Sequence, residues 1–167
     1  MAEFDDRAFR NAMGNFTTGV VIATGMDGEH PVGFAAQSFV SLSLDPPLVA
    51  LCPGKSSSSW PKIRASENFC INILCTTQKS ICDAMAQSGG DKFSDVDWRS
   101  GATGAPIIAN CLAYIDCAIE AEHDAGDHTI SIGRVVDFAV HDIGDEEIAL
   151  QPLLFYKGGY GSFSPLA

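Results

Sequence analysis

Apolar and polar residues alternate with period two through much of this chain, the pattern of strands in a half-buried sheet. Phe16 to Ala23 (FTTGVVIA) reads as a strand, Gly25 to Glu29 as a hairpin loop, and Pro31 to Gln37 as the returning strand. The stretch Gly33 to Pro53 (GFAAQSFVSLSLDPPLVALCP) organises the rest. Ser38, Ser41 and Ser43 alternate there with Phe39, Leu42 and Leu44, Asp45-Pro46-Pro47 makes a corner, and Leu48 to Leu51 resumes as a buried run. Hydroxyls spaced along an apolar ribbon call for a polar partner; the alternative is a half-exposed strand whose serines face water. Further strands are expected at Phe69 to Leu74, Leu112 to Ala121, Thr129 to Val140 and Leu153 to Lys157, with a turn over Glu122 to His128 and an acidic loop over His141 to Glu147.

Helical spacing is confined to short segments. Asp5 and Asp6 precede Ala8, Phe9, Ala12 and Met13, with Gly14 as the stop. A second short helix surrounds Ile63 and Ala65. Thr76 and Thr77 are N-cap candidates for a third, in which Ile81, Ala84 and Met85 share a face and Gly89-Gly90 ends the run. Asp91 to Gly104 is loop-like, anchored by Phe93 and Trp98. The outcome is about six or seven strands against two or three short helices, joined mostly by short polar turns. This predicts a mainly β, antiparallel domain whose edges barrel closure would remove. No βαβ alternation argues for a Rossmann domain, and no repeat or linker divides residues 1–167, so one domain is expected.

Composition narrows the partners. The 167 residues are 46% apolar and carry a net charge of −11, from 10 basic against 21 acidic residues. That balance repels nucleic acid and anionic membranes, while still allowing one anionic cofactor to be held by local N–H groups. The N-terminal MAEFDDRAFR is acidic where a signal peptide is basic, and no apolar run approaches the ~18 residues of a span, so a cytoplasmic protein is expected. Six cysteines without a CxxC pair read as small buried hydrophobes in a reducing compartment, rather than as zinc ligands or disulfides. Cys52 differs, because it ends a strand just before a Pro-Gly-Lys-Ser loop.

Three polar clusters stand out. The first is the serine ribbon at 38, 41 and 43. The second, Cys52 to Trp60 (CPGKSSSSW), places a turn, a cation and several hydroxyls before a short helix, as a phosphate cradle would, although it lacks the Walker A spacing and also suits a flexible loop. The third is His123-Asp124-Ala125-Gly126-Asp127-His128. It lies in a hairpin turn where solvated polar residues are ordinary, and no metal is assigned to it. No GxSxG elbow supports a serine nucleophile.

Taken together, FRNAMGNFTTGVVIAT (Phe9 to Thr24), PVGFAAQSFVSLSLDPPLVALCP (Pro31 to Pro53), KSSSSW (Lys55 to Trp60), DKF (Asp91 to Phe93), GDHTI (Gly126 to Ile130) and PLLFYKGGYG (Pro152 to Gly161) resemble the flavin reductase-like family. The similarity is greatest to small NADH-dependent reductase components of two-component flavin-dependent monooxygenases, including those for phenolic and steroid-derived rings. It implies a Greek-key, FMN-binding split β-barrel and a homodimer with flavin near its interface. It also implies hydride transfer from NADH (or NADPH) to FMN or FAD, with reduced flavin released to a separate oxygenase.

Carried over by motif, Gly33, Phe34, Ala35, Ala36, Gln37 and Ser38 would line the flavin ring, and Phe39, Ser41, Leu42 and Ser43 its edge and ribityl chain. Cys52, Pro53, Lys55, Ser56, Ser58 and Trp60 would surround the phosphate, with Lys92 and Phe93 closing over it. Gly126, Asp127 and His128 resemble the nicotinamide-side motif, joined there by Tyr160 and Arg10; His128 is the catalytic candidate. Many family members have Thr or Ser with Asn where this chain has Ala35, Ala36 and Gln37. Two rival readings are a non-catalytic FMN-binding module and an oxidase of the pyridoxamine-phosphate type, the latter disfavoured by the few basic residues near the serine loop.

Overall fold

The computed structural model describes residues 5–141 and 151–166. Of the acidic loop expected over 141–147, only His141 falls among them. The strands are β1 (Thr18–Gly19), β2 (Val21–Asp27), β3 (His30–Ala36), β4 (Val40–Leu44), β5 (Pro47–Leu51), β6 (Asn68–Ile73), β7 (Trp98–Ser100), β8 (Pro106–Ile108), β9 (Ala113–Ala125), β10 (His128–Val140), β11 (Leu154–Tyr156) and β12 (Gly159–Gly161). Helices are α1 (Asp6–Met13), α2 (Trp60–Ala65) and α3 (Lys79–Ala86).

Seven strands form one antiparallel sheet in the order β3-β2-β6-β9-β10-β5-β4. Its two edge strands, β3 and β4, are neighbours in sequence. Laid flat, six spacings of ~4.8 Å would part them by about 29 Å. The chain between Ala36 and Val40 spans at most about 14 Å, so the sheet must curl until its edges face each other. It is a split barrel, because no ladder joins β3 to β4 among the described residues. Closure of the sheet, expected from the need to hide edges, therefore stops short. Ser38, in the β3–β4 connection, instead extends the β4–β5 pairing beyond Val40 and Ala50: its Oγ donates to the Cys52 carbonyl at 3.2 Å and accepts from the Cys52 N–H at 3.0 Å.

The core explains the unbroken apolar run Val20 to Ala23 at the start of β2. Val21 and Ala23 face the barrel interior with Val49, Leu51, Trp60, Ile63, Phe69 and Ile71, whereas Val20 and Ile22 face outward onto Leu74, Cys82, Met85 and Leu153. Both faces are covered, so alternation disappears there. In α3 the buried positions are Cys82 and Met85, while Ile81 and Ala84 lie at the margin of that face. Gly133 leaves no room for a side chain, since a Cβ there would come within 2.4 Å of the Phe69 ring.

Several boundaries differ from expectation. The turn placed over Glu122 to His128 shrinks to Gly126-Asp127, because β9 continues to Ala125 and β10 begins at His128. Thr76 and Thr77 do not cap α3. They lie in a 3-10 turn over Thr76–Gln78, which is capped by the Cys75 backbone N–H bonding the Gln78 side chain at 3.2 Å. The polar 91–104 segment contains β7, held through β8 by Asn72, whose Oδ1 accepts from the Ile108 N–H at 2.7 Å.

Candidate functional site

The free side of β3 is the centre of the site. The Gly33 carbonyl points away from β2 and accepts from Ser59 Oγ at 3.0 Å and Lys92 Nζ at 3.2 Å. Backbone groups of an antiparallel strand alternate sides with period two, so Ala35 also turns its N–H and C=O outward. Beside it lies a cavity of about 490 Å³, within the ~300–1,000 Å³ usual for small-molecule sites. Phe34, Ala35 and Ala36 give it a low apolar surface, and Gln37, Ser38 and Cys52 a polar margin. Cys82 and Ala86 of α3, with Phe155 and Tyr160 of the β11–β12 hairpin, face it from another side.

Tyr160 is fixed from three directions. Its ring packs edge-on against Phe155 with centroids 5.2 Å apart, Lys79 Nζ lies 4.8 Å from its centroid, and its hydroxyl is 3.3 Å from Cys82 Sγ. That contact, with burial behind it, pushes the phenol up to about 12. Burial chiefly raises the Cys82 thiol.

The second and third polar clusters prove to be one place. Lys55 N–H donates to the Asp127 carbonyl at 2.9 Å, and Thr129 N–H to the Pro53 carbonyl at 3.0 Å, so the β9–β10 tip clasps the 53–55 turn. His128 Nδ1 lies 2.7 Å from Asp127 Oδ1, a bond that chiefly holds the Asp127 carboxyl below its usual range. The other edge of the imidazole faces Gly54 and the cavity. Gly126 permits this turn through its φ of +67°.

A second chamber of about 550 Å³ follows β3 in the other direction, from Gly33 to His30. Ser58, Ser59, Lys62, Lys92 and Phe93 line it together with the Gly89-Gly90-Asp91 turn. Lys92 also donates to the Met85 carbonyl at 3.1 Å, and burial pulls its ammonium below the usual lysine range. Lys62 pairs with Asp27 at 2.9 Å.

Residues 13–164 match the family described as flavin reductase like domain. The chain belongs to that family. Among flavin reductase relatives, it is 46% identical over 161 residues to the reductase subunit HsaB of a flavin-dependent monooxygenase from Rhodococcus jostii (strain RHA1), covering 96% of this chain and 80% of the relative. It is 43% identical over 160 residues to the FMN reductase (NADH) SmoA of Agrobacterium fabrum (strain C58 / ATCC 33970), covering 96% and 87%. The solved structure of the Streptomyces globisporus C-1027 NADH:FAD oxidoreductase SgcE6, in complex with NAD and FAD fragments, superposes with a TM-score of 0.86 at 36% identity, covering 98% of each chain.

Within this flavin reductase fold, the residues expected from sequence divide clearly. Phe34, Ala35, Ala36, Gln37, Ser38, Cys52, His128 and Tyr160 share the first cavity; Gly33, Ser58, Lys92 and Phe93 share the second. Others support the site from outside it. Trp60, expected at the phosphate, is 5% exposed, packs against Phe34 and Phe69, and donates its indole N–H to Glu122 at 3.2 Å. Lys55 is held by Asp124 at 2.5 Å and, like exposed Ser56, lines neither cavity. Pro53 is buried in the turn, and Gly126 and Asp127 set the orientation of His128.

Phe39 packs toward the barrel interior, while Ser41, Leu42 and Ser43 lie on β4 and line neither cavity. Arg10 faces a different cavity beside α1. Sequence reasoning overlooked Val20, Cys82, Ala86 and Phe155 in the first cavity and Ser59 and Lys62 in the second. Phe155 belongs to the PLLFYKGGYG motif, and Ser59 and Lys62 lie on either side of Trp60; the α3 pair carries no signal beyond helical spacing.

Proposed function

We propose that this chain is an NAD(P)H:flavin oxidoreductase that reduces FMN or FAD as an exchanging substrate and supplies the product to a separate monooxygenase component. NADH is the favoured donor, in line with the NADH that the SmoA and SgcE6 relatives are named for. The observation that carries the reading is the 490 Å³ cavity, where small apolar side chains and an outward-turned Ala35 amide face a half-exposed imidazole. That surface suits a flat heteroaromatic ring whose edge needs hydrogen bonds, and Lys92 with Ser58 suits its anionic tail.

Bound flavin supplies a ring able to accept a hydride at N5 from nicotinamide C4. The protein's part would be to orient the two rings toward each other, Phe34, Ala35 and Ala36 offering an apolar surface to one and His128 a polar edge to the other. Asp127, its carboxyl held below the usual range, bonds Nδ1 and so turns the Nε2 edge of the imidazole toward Gly54 and the cavity.

A homodimer belongs to this proposal. Leu44, Val136, Phe138 and Val140 are 90%, 53%, 69% and 77% exposed, and Val40 and Leu42 of β4 are half exposed, a face that a second copy would cover. Six free cysteines support a reducing, cytoplasmic setting, and one seven-stranded sheet supports a single domain over residues 1–167. The test is NADH oxidation with FMN or FAD supplied far below the NADH concentration. Continuous oxidation over many turnovers per flavin is expected; stoichiometric flavin retention without turnover would leave a flavin-binding module.

A further inference from the structure

Lys79, Cys82, Asp83 and Ala86 stand three and four positions apart in α3 and so share one face of the helix. Cys82 and Ala86 line the ring cavity. Lys79 is held by Asp83 at 2.6 Å, with its Nζ 4.8 Å from the centroid of the Tyr160 ring. This face of α3 therefore meets the β11–β12 hairpin beside the cavity.

The hairpin belongs to a sheet of its own. Leu153 anchors the start of β11 through backbone bonds with Val20 and Leu74, but the outer strand β12 pairs with β11 alone among the described residues. What holds Tyr160 against α3 is its side chain. The hydroxyl lies 3.3 Å from Cys82 Sγ, and among the described residues Cys82 is its hydrogen-bond partner. Cys82 is 2% exposed, so bulk water does not compete for this bond. Burial raises the thiol, and the contact pushes the phenol up to about 12, so both groups are uncharged at neutral pH. Phe155, paired with Tyr160 across the hairpin, packs edge-on against its ring and lines the same cavity.

We propose that Cys82 is a positioning residue for flavin reduction: by holding the Tyr160 hydroxyl it fixes the α3–hairpin side of the ring cavity, and with it the approach of the two reacting rings. The inference rests on the reductase reading. It predicts that the bond is felt in the rate of hydride transfer, because near-attack geometry is sensitive to small displacements of the groups that confine the rings.

Tyr160→Phe removes the hydroxyl and keeps the ring; Cys82→Ala removes the sulfur; Cys82→Ser keeps a hydrogen-bonding partner. Stopped-flow loss of oxidised-flavin absorbance at saturating NADH reads the step directly. Tyr160→Phe and Cys82→Ala are each expected to slow it about tenfold, within the ~100-fold that a misplacement of ~1 Å can cost. The double variant should be no slower than either single variant, since both remove the same bond, and Cys82→Ser should recover most of the rate. A Tyr160→Phe rate equal to wild type, losses that multiply in the double variant, or Cys82→Ser as slow as Cys82→Ala each overturn the proposal. Thermal melts of the flavin-free proteins separate a merely structural bond, which would lower Tm and leave the saturated rate unchanged; that result also counts against it. A wild type that oxidises NADH with neither FMN nor FAD defeats the reductase reading, whereas a wild type that turns over and is matched by both single variants defeats the proposal alone.

Discussion

Ser38→Ala separates two serines that look equivalent along the chain. Ser38 Oγ makes two hydrogen bonds, at 3.0 and 3.2 Å, that fasten the β3–β4 connection to Cys52 just past the end of β5. Each such bond contributes ~0.5–1.5 kcal/mol net, and leaving part-buried Cys52 backbone groups unpaired costs a further share, so about 2 kcal/mol is expected in the flavin-free protein. For a chain of this size that is roughly 4–8 °C in Tm. Ser41, exposed on β4, should change stability by less than ~0.5 kcal/mol when replaced by Ala. Because Ser38 and Cys52 both line the ring cavity, Ser38→Ala should also weaken flavin binding. Urea unfolding of the two variants beside the wild type, with flavin titrations followed by fluorescence, gives both numbers. If the two variants unfold at the same denaturant concentration, the β3–β4 connection is not held by Ser38 and the argument fails.

Three other outcomes can be checked directly. His128→Ala should lower kcat/KM for NADH about tenfold, ~1.4 kcal/mol of transition-state stabilisation, with flavin affinity nearly intact; unchanged steady-state kinetics would remove His128 from the site. Ser58→Asp puts a carboxylate beside Lys92 in the second chamber and should weaken FMN and FAD binding at least tenfold by repulsion, so equal titrations would move the phosphate elsewhere. Alkylation at pH 8 should modify Cys52 first and flavin should slow it, because Cys52 borders the ring cavity. Burial pushes the Cys111 and Cys117 thiols up to about 11 and about 12 and raises Cys70 and Cys82 as well, keeping these four protonated at that pH; peptide mass spectrometry showing early label on any of them would contradict this.

Local pattern alone determined that the domain is antiparallel β with short helices, because alternation and turn residues act over a few positions. It also marked β3 and the His128 strand end, where small, polar and apolar residues stand in unusual order. Which serines matter was decided only by the curl of the sheet. Ser38 meets Cys52 beyond the end of the β4–β5 pairing, Ser59 holds the Gly33 carbonyl, and Ser41 is exposed, although all three sit in similar serine-rich context. Trp60 likewise looks from sequence like a loop residue near a phosphate, yet it fills the barrel because α2 tucks beneath the sheet. The union of the 53–55 turn with the 126–128 turn joins residues far apart in the chain. Periodicity records which face a residue takes within its own element; the partner that face meets depends on register and curvature, and those exist only once the whole sheet has formed.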